Sequence, residues 1–530
     1  MRVRPSVPAP APESERASAP AVPPRSAWWH VPFLVLLAAG IVLRVMVWAA
    51  YRPVLLYVDS YRYLGMVDGG TVAGPDPAGY AFFLKILLKF GDLSLVPIAQ
   101  HLIGLGIGVA IYLFLLRRGV HPGLSALAAA PVLLDAYVLQ ISQLVMSDLL
   151  FIAVVVLAAG VLAWRPPPSI PAVAVAGALI GGAVSVRGVG QAALIAALLF
   201  VLVAGAGVRW RRRLASAAVL LTGFAVALGA YMAVCLYKYD EWGMGGSHSA
   251  RILYARAATF VDCSTIDLPA HLRPLCPQPP VDRRPGVDEY VWGQSSPARH
   301  YRDPDELAEL ADFARQVYGQ QPLDLAKATV VDFFRGFAPV KADMPKQVPI
   351  GRWQFQTTYP HHGGATGTPA DINERFGGGP PVVDARIATV LRAYQLGPGH
   401  VPGTVVGICL LLGLLGAAGV GRAWRSPLRS TAFLFAATGA GVLLIAAVFQ
   451  FSWRYQLPGV VILPVAGALG LTALLRRVPE GPEPDASAAD RPDAERLPQV
   501  TDQLRPVDEP QTAKAARRRR RVLPFGEPSR

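Results

Sequence analysis

Four short stretches hold residue types able to take a proton and grip an anion. Asp59, Arg62 and Tyr63 lie in YVDSYRYL, Asp148 in QLVMSDLL, Arg187 in SVRGVGQAAL, and Arg454 with Tyr455 in FSWRYQLPGVVILP. A carboxylate acts as a general base when a hydroxyl proton comes within hydrogen-bond reach. A guanidinium is a planar fork that holds a phosphate through paired, charge-assisted hydrogen bonds. The combination suits a displacement whose leaving group is an anion. Each residue also has a plainer role open to it. Asp59 and Asp148 could cap helices that begin there, and Arg187 could snorkel from a short loop.

All four stretches lie at the ends of apolar runs, which must position them. The chain has 530 residues, of which 53% are hydrophobic and 16% charged, with a mean hydropathy of +0.37. Soluble domains carry about 25% charged residues. A polytopic membrane protein is expected, which excludes a soluble enzyme, a DNA-binding domain and a secreted disulfide scaffold. Ten runs approach the roughly 20 residues needed to cross. They are Trp28–Ala50, Leu93–Leu116, Gly123–Ile141, Leu149–Trp164, Ile170–Val186, Val189–Val208, Leu214–Leu236, Val401–Val420, Thr431–Phe451 and Leu457–Leu475. With 51 glycines and 48 prolines, broken helices are expected among them. The Arg187 gap is so short that its flanking segments could instead form a re-entrant hairpin.

The formal charge of +14 is a mark of topology and not of nucleic-acid binding. The stretch 238–392 is near neutral, with 17 basic and 18 acidic residues. The excess lies in alternate gaps, at Arg117–Arg118, Arg165, Arg209 with Arg211–Arg213, Arg422–Arg429 and Arg476–Arg477, and in the tail run Arg517–Arg521. Basic short loops mark the cytoplasmic side, so both termini are expected there. Contact of the tail with anionic lipid is a second reading of its charge. The opposite gaps then face outward, and all four chemistry-bearing stretches fall in or beside them.

The expected organisation is a disordered leader (1–27), an N-terminal transmembrane module (28–236), an extracytoplasmic segment (237–400), C-terminal spans (401–475) and a disordered basic tail (476–530). In the outer segment, Asp303-Pro304 opens a helix running to Tyr318. A second runs from Pro322 to Gly336, and His361–Pro381 reads as a long Gly/Pro/Thr-rich loop. Cys263 and Cys276, 13 residues apart in an oxidising compartment, are expected to form a disulfide. Nearby His271 gives no zinc-ligand spacing, and Cys235 and Cys409 pack as small apolar residues. His361-His362 reads as a solvated loop, and Gly104, Gly106 and Gly108 as helix-packing glycines. Arg44, inside the first span, is expected to pair with Asp59 or with a lipid phosphate.

The ordered set of motifs resembles the GT-C superfamily of polyprenyl-phosphate-dependent glycosyltransferases. It looks closest to the branch holding protein mannosyltransferases, the lipid A aminoarabinose transferase and related bacterial transferases. Asp59-Ser60-Tyr61-Arg62-Tyr63 resembles the acidic motif of that superfamily's first outer loop. Asp76-Pro77-Ala78-Gly79-Tyr80 resembles the stretch that follows, although relatives often carry Lys or His where Asp76 stands. Met146-Ser147-Asp148, Arg187, and Arg454-Tyr455 with Pro458 match the later motifs in order. The match covers roughly Trp28–Phe200 and the last spans, and the outer segment with its cysteines resembles actinobacterial members.

The resemblance implies an all-α polytopic fold of about ten transmembrane helices with a large outer loop segment. The chain would be a bacterial plasma-membrane enzyme. It would transfer a hexosyl or pentosyl unit, with inversion, from a polyprenyl-phosphate donor to a glycan, lipid or protein acceptor of the cell envelope. Asp59 would be the general base, and Arg62, Arg187 and Arg454 would hold the donor phosphate. Asp148 would orient Asp59 or help bind a divalent cation, while Arg44, Tyr63, Tyr80 and Tyr455 would support the site. Membrane lipids are the remaining partners. Two rival readings are an oligosaccharide polymerase or ligase with a pyrophosphate-linked donor, and a lipid-carrier flippase or transporter.

Overall fold

The computed structural model describes residues 27–69, 77–203, 209–240, 242, 246–301, 303–362 and 367–476. Residues 1–26 of the expected leader, nearly all of the expected tail, and Asp76 lie outside the described residues. The described chain is almost wholly helical. Helix α1 (Val31–Ala50) carries Pro32 in its first turn, where the missing N–H has no helical partner to lose. It runs into β1 (Tyr51–Arg52), which pairs antiparallel with β2 (Val382–Val383). Short helices α2 (Val58–Val67) and α3 (Gly79–Leu87) follow. The first helical module continues through α4 (Leu95–Arg117), α5 (Pro122–Leu134), α6 (Ala136–Gln143), α7 (Asp148–Ala163), α8 (Ile170–Val186), α9 (Gln191–Val203) and α10 (Trp210–Tyr239). The hydrophilic segment holds α11 (Gly246–Ala258), α12 (Val287–Trp292), α13 (Pro304–Gln320), α14 (Pro322–Arg335), α15 (Pro369–Phe376) and α16 (Ala385–Leu396). Helices α17 (Gly403–Ala418), α18 (Arg429–Phe449) and α19 (Leu457–Leu475) complete the bundle.

This is a multi-pass membrane protein. Among the described residues, five helices are long and apolar enough to cross a bilayer: α1, α4, α10, α18 and α19, with the short turns leading into α1 and α19 included. The pair α5–α6, bent by 44°, makes a sixth if counted as one span. The other four expected spans fall on the shorter apolar helices α7, α8, α9 and α17. The centre is α19, buried along nearly its whole length. Its contact with α17 depends on small residues. A Cβ on Gly470 would sit 2.1 Å from the carbonyl oxygen of Leu412, so only glycine permits that approach.

The α5–α6 bend explains Arg44 and corrects the expected pairing with Asp59. Asp135 ends α5 and caps α6, its Oδ1 accepting the N–H groups of Tyr137 and Val138 at 3.0 and 3.1 Å. The carbonyls of Val132 and Leu133 therefore lose their helical donors, and inside a bilayer no water replaces them. Arg44 donates to both, at 2.7 and 2.6 Å. A Cβ on Gly104 would stand 2.8 Å from Arg44 Nη2, so that glycine makes room for the guanidinium. Gly108 packs likewise against Leu133, whereas Gly106 faces open space.

The segment on either side of Arg187 is not a tight hairpin: α8 packs on α7 and α10, while α9 packs mainly on α18. In the hydrophilic segment α13 and α14 form where expected, and Glu306 Oε2 accepts the Asp303 N–H at 3.1 Å to close the first turn of α13. A second apolar core gathers Tyr254, Leu275, Leu310 and Phe313, with the Cys263–Cys276 disulfide at its edge. The stretch 361–381 is not all loop. Thr368 and Asp371 exchange hydrogen bonds and Pro369 pre-sets the first turn, which together start α15.

Candidate active site

Backbone pairing brings the first two motifs together. The Leu55 N–H donates to Gln143 O at 3.0 Å, and the Val145 N–H to Leu55 O at 3.1 Å, a parallel bridge between the start of the first surface loop and the approach to α7. Ser60 Oγ accepts the Tyr57 N–H, fixing the start of α2, and donates to Val145 O; both distances are 2.9 Å. Tyr63 Oη and Ser147 Oγ lie 2.9 Å apart. Tyr80 packs edge-on to Tyr63 and donates to Gln100 Oε1 at 2.8 Å. Gln100 in turn donates to the carbonyls of Ser142 and Leu144 at 2.9 and 2.7 Å. Asp59 and Asp148 are thus set on neighbouring, cross-linked segments.

Arg454, in the turn before α19, joins them. Its Nη1 donates to Asp59 Oδ2 at 2.6 Å. Its Nε lies 3.1 and 3.0 Å from the two oxygens of Asp148, and its Nη2 lies 2.9 Å from Oδ2. Arg62, one helical turn after Asp59, contacts Asp59 Oδ1 at 2.5 Å, and Arg187 Nη1 stands 2.7 Å from Asp148 Oδ1. The Asp148 and Arg454 side chains are 3% and 5% exposed; Asp59, Arg187 and Arg62 rise to 13%, 17% and 22%. The cluster therefore has a buried floor and an accessible rim. Tyr455 lies against both Arg187 and Arg454, with ring centroids at 5.6 and 5.8 Å.

Burial alone would raise the Asp59 carboxyl. Arg454, then Arg62 and Arg187, outweigh it and hold Asp59 below the usual carboxylate range. Asp59 is consequently ionised at neutral pH. Tyr57 and Ser147 hold the N-cap positions, and Asp59 and Asp148 sit inside the first turns of α2 and α7, so neither aspartate is the capping residue. All four carboxylate oxygens receive guanidinium contacts. Among the described residues, no group of three or more His, Cys, Asp or Glu side chains converges on a metal position. The floor and rim together hold three guanidiniums against two carboxylates, an excess of one positive charge.

Other residues of the site gave little sequence signal. Trp353, in the hydrophilic segment, lies 5.5 Å from the Arg454 guanidinium and 4.8 Å from the Tyr57 ring. Arg352 donates to Tyr57 Oη at 3.1 Å. Trp292, at the end of α12, stands over Arg62 at 5.6 Å. Asp288, on the same helix, is pushed up by burial, with Gln450 and Arg352 opposing and Asp59 adding to the rise. Gln100 was the exception, since a Gln-His pair inside an apolar run signals a polar obligation.

No family model matches the chain, and no curated protein is similar to it. Several solved structures share a likeness. The Saccharomyces cerevisiae protein O-mannosyltransferase Pmt1–Pmt2 complex bound to its sugar donor is 14% identical over 44% of this chain and 37% of its own, with a TM-score of 0.33. The oligosaccharyltransferase AglB from Archaeoglobus fulgidus, with an inhibitory peptide and dolichol phosphate, is 14% identical over 83% of this chain and 50% of its own, at 0.38. ArnT from Cupriavidus metallidurans, bound to undecaprenyl phosphate, is 14% identical over 83% of this chain and 78% of its own, at 0.33. The chain thus spans about a third of the first protein's length and half of the second's.

Proposed function

We propose that this chain is a membrane glycosyltransferase. It moves one sugar from a polyprenyl phosphate to an acceptor hydroxyl at the outer membrane surface, with inversion. The observation that carries this reading is the net positive charge of the cluster of Asp59, Arg62, Asp148, Arg187 and Arg454. A polyprenyl-phosphoryl sugar is a phosphodiester with one negative charge, which the cluster's net charge of one balances. A pyrophosphate-linked donor carries two, so the same count disfavours the polymerase or ligase reading. A transporter would place its polar residues near the midplane on repeated halves. Here they gather at one end of the helices.

In the proposed reaction the acceptor oxygen attacks the anomeric carbon from the face opposite the phosphate. The bond between that carbon and the phosphate oxygen breaks as the new glycosidic bond forms. The acceptor proton passes to the Asp59 carboxylate. The leaving polyprenyl phosphate gains a second negative charge, which Arg62 and Arg187 at the accessible rim stabilise where it develops. Arg454 positions both carboxylates and adds field from the buried floor. Asp148 holds Arg454 and Arg187 in place. The low proton affinity of Asp59 suits a late transfer, when the attacking hydroxyl has already become acidic. The test is incubation of purified protein with labelled polyprenyl-phosphate hexoses and pentoses. Transfer to an acceptor or hydrolysis of any one donor supports the reading; inertness toward all, with retained binding of pyrophosphate-linked donors, contradicts it.

A further inference from the structure

At the other end of the same helices the bundle holds a cavity of about 730 Å³ that the proposed reaction does not use. Helix α4 lines it with Ile107, Ile111 and Phe114, and α7 lines it with Val156, Leu157 and Val161. Such a wall takes a hydrocarbon chain. Its mouth is different, for Arg165, just after α7, and Arg212, in the first turn of α10, close it beside Ser169. A third guanidinium, that of Arg117, stacks on the neighbouring Trp164 ring at 4.8 Å. Arg165 and Arg212 are exposed, and the stretches 118–121, 164–169, 209–213 and 419–428 contain no Asp or Glu. This end of the molecule therefore has exposed cations with no carboxylate in those stretches to neutralise them.

We infer that the groove between α4 and α7 is a binding site for one anionic glycerophospholipid, with an acyl chain against the helices and its phosphate between Arg165 and Arg212. Charge complementarity selects this occupant. A basic mouth above an apolar slot matches a lipid that is anionic at one end and apolar at the other, and basic pockets between transmembrane helices hold such headgroups. A zwitterionic lipid presents its own cation to the two arginines and gains less. The groove's apolar length further separates this site from free phosphate, which would leave the slot empty.

The experiment uses the full chain in nanodiscs of phosphatidylcholine with a trace of phosphatidylglycerol bearing a photoactivatable acyl chain. After irradiation, mass spectrometry of the digest locates the adducts. They are expected on 103–114 and 153–161, and excess unlabelled phosphatidylglycerol, but not phosphatidylcholine, should deplete them. Arg165→Gln with Arg212→Gln should lower the labelling several-fold. Gly106→Leu with Gly160→Leu should do the same by filling the slot, because both glycines line it and a Cβ at either meets no neighbouring element within 4 Å. Equal labelling by a phosphatidylcholine probe, adducts spread over other helices, or depletion by both competitors would overturn the site. Stronger displacement by a polyprenyl phosphate than by phosphatidylglycerol would overturn the choice of occupant. The competition arms use the unaltered protein, so the outcome does not depend on either variant folding.

Discussion

Arg454 and Asp59, 395 residues apart in sequence, meet at 2.6 Å, and the same guanidinium chelates Asp148 on its other edge. One side chain thus ties the first surface helix, the start of α7 and the turn before α19 into a single charged unit. Removing one member of a buried ion pair leaves the other charged and desolvated, at a cost of about 3–5 kcal/mol. Arg454→Ala is therefore expected to lower thermal stability by that order. Arg454→Lys should recover only part, since an ammonium lacks the fork that reaches both carboxylates. Thermal unfolding of the detergent-purified variants, followed by intrinsic fluorescence, measures both.

Arg44 is expected to matter for stability and not for the donor. Its two carbonyl acceptors, Val132 and Leu133, sit at the α5–α6 break, and an unsatisfied buried acceptor costs about 1–3 kcal/mol. Arg44→Met should reduce the unfolding temperature while leaving affinity for a polyprenyl phosphate unchanged. A loss of affinity with unchanged stability would return Arg44 to the anion site.

The pH dependence follows from Asp59. Its folded-state carboxyl is held low, because Arg454 and Arg62 outweigh the effect of burial. The stabilisation it provides is therefore complete above the unfolded value of about 3.9 and is lost as pH falls through the lower folded value. The acid limb of kcat/KM assigned to this group should accordingly lie on the acid side of an ordinary aspartate. Arg62→Ala removes one of the two nearest cations, so the limb should move toward neutral pH. A pH–rate series on the two proteins checks the direction, and a shift the other way would contradict the electrostatic reading.

Cys263 and Cys276 are bonded in the fold, which accords with the outward placement proposed for the hydrophilic segment. Peptide mass spectrometry of protein alkylated without reductant should find the bridged pair. Cys263→Ser should cost about 2–4 kcal/mol, the usual worth of a native bridge of this kind. Finding both thiols alkylated in membranes from intact cells would place this segment in a reducing compartment and reverse the orientation proposed for the site.

Much of this arrangement can be read along the chain, and the unreadable part has a physical cause. Hydropathy locates the spans because the bilayer demands apolar length, so nine expected runs fall on single apolar helices and Gly123–Ile141 falls on the bent α5–α6 pair. Asp59 and Arg62 are legible as a pair because three residues make one helical turn. The link from Asp59 to Arg454 is not legible, since it depends on how α7 and α19 pack. Arg44 signals a polar need within α1, but its partners exist only because Asp135 breaks the following helix. The overlooked α15 is a different case. Thr368-Pro369 with Asp371 is a readable start signal, masked by the surrounding glycines. Trp292 and Trp353 reach the cluster from a long hydrophilic segment whose path no local pattern dictates.

The central claim is that Asp59 takes the acceptor proton. The direct measurement is turnover of a labelled polyprenyl-phosphate sugar by Asp59→Asn, with donor affinity determined on the same preparation. Asparagine keeps the shape and one acceptor oxygen toward Arg454, but it has no site for the proton. A general base contributes roughly 10²–10⁴-fold, so turnover should fall by about that factor while the donor still binds. Turnover near that of the unaltered protein would leave Asp59 a structural partner of Arg454 and contradict the proposed mechanism.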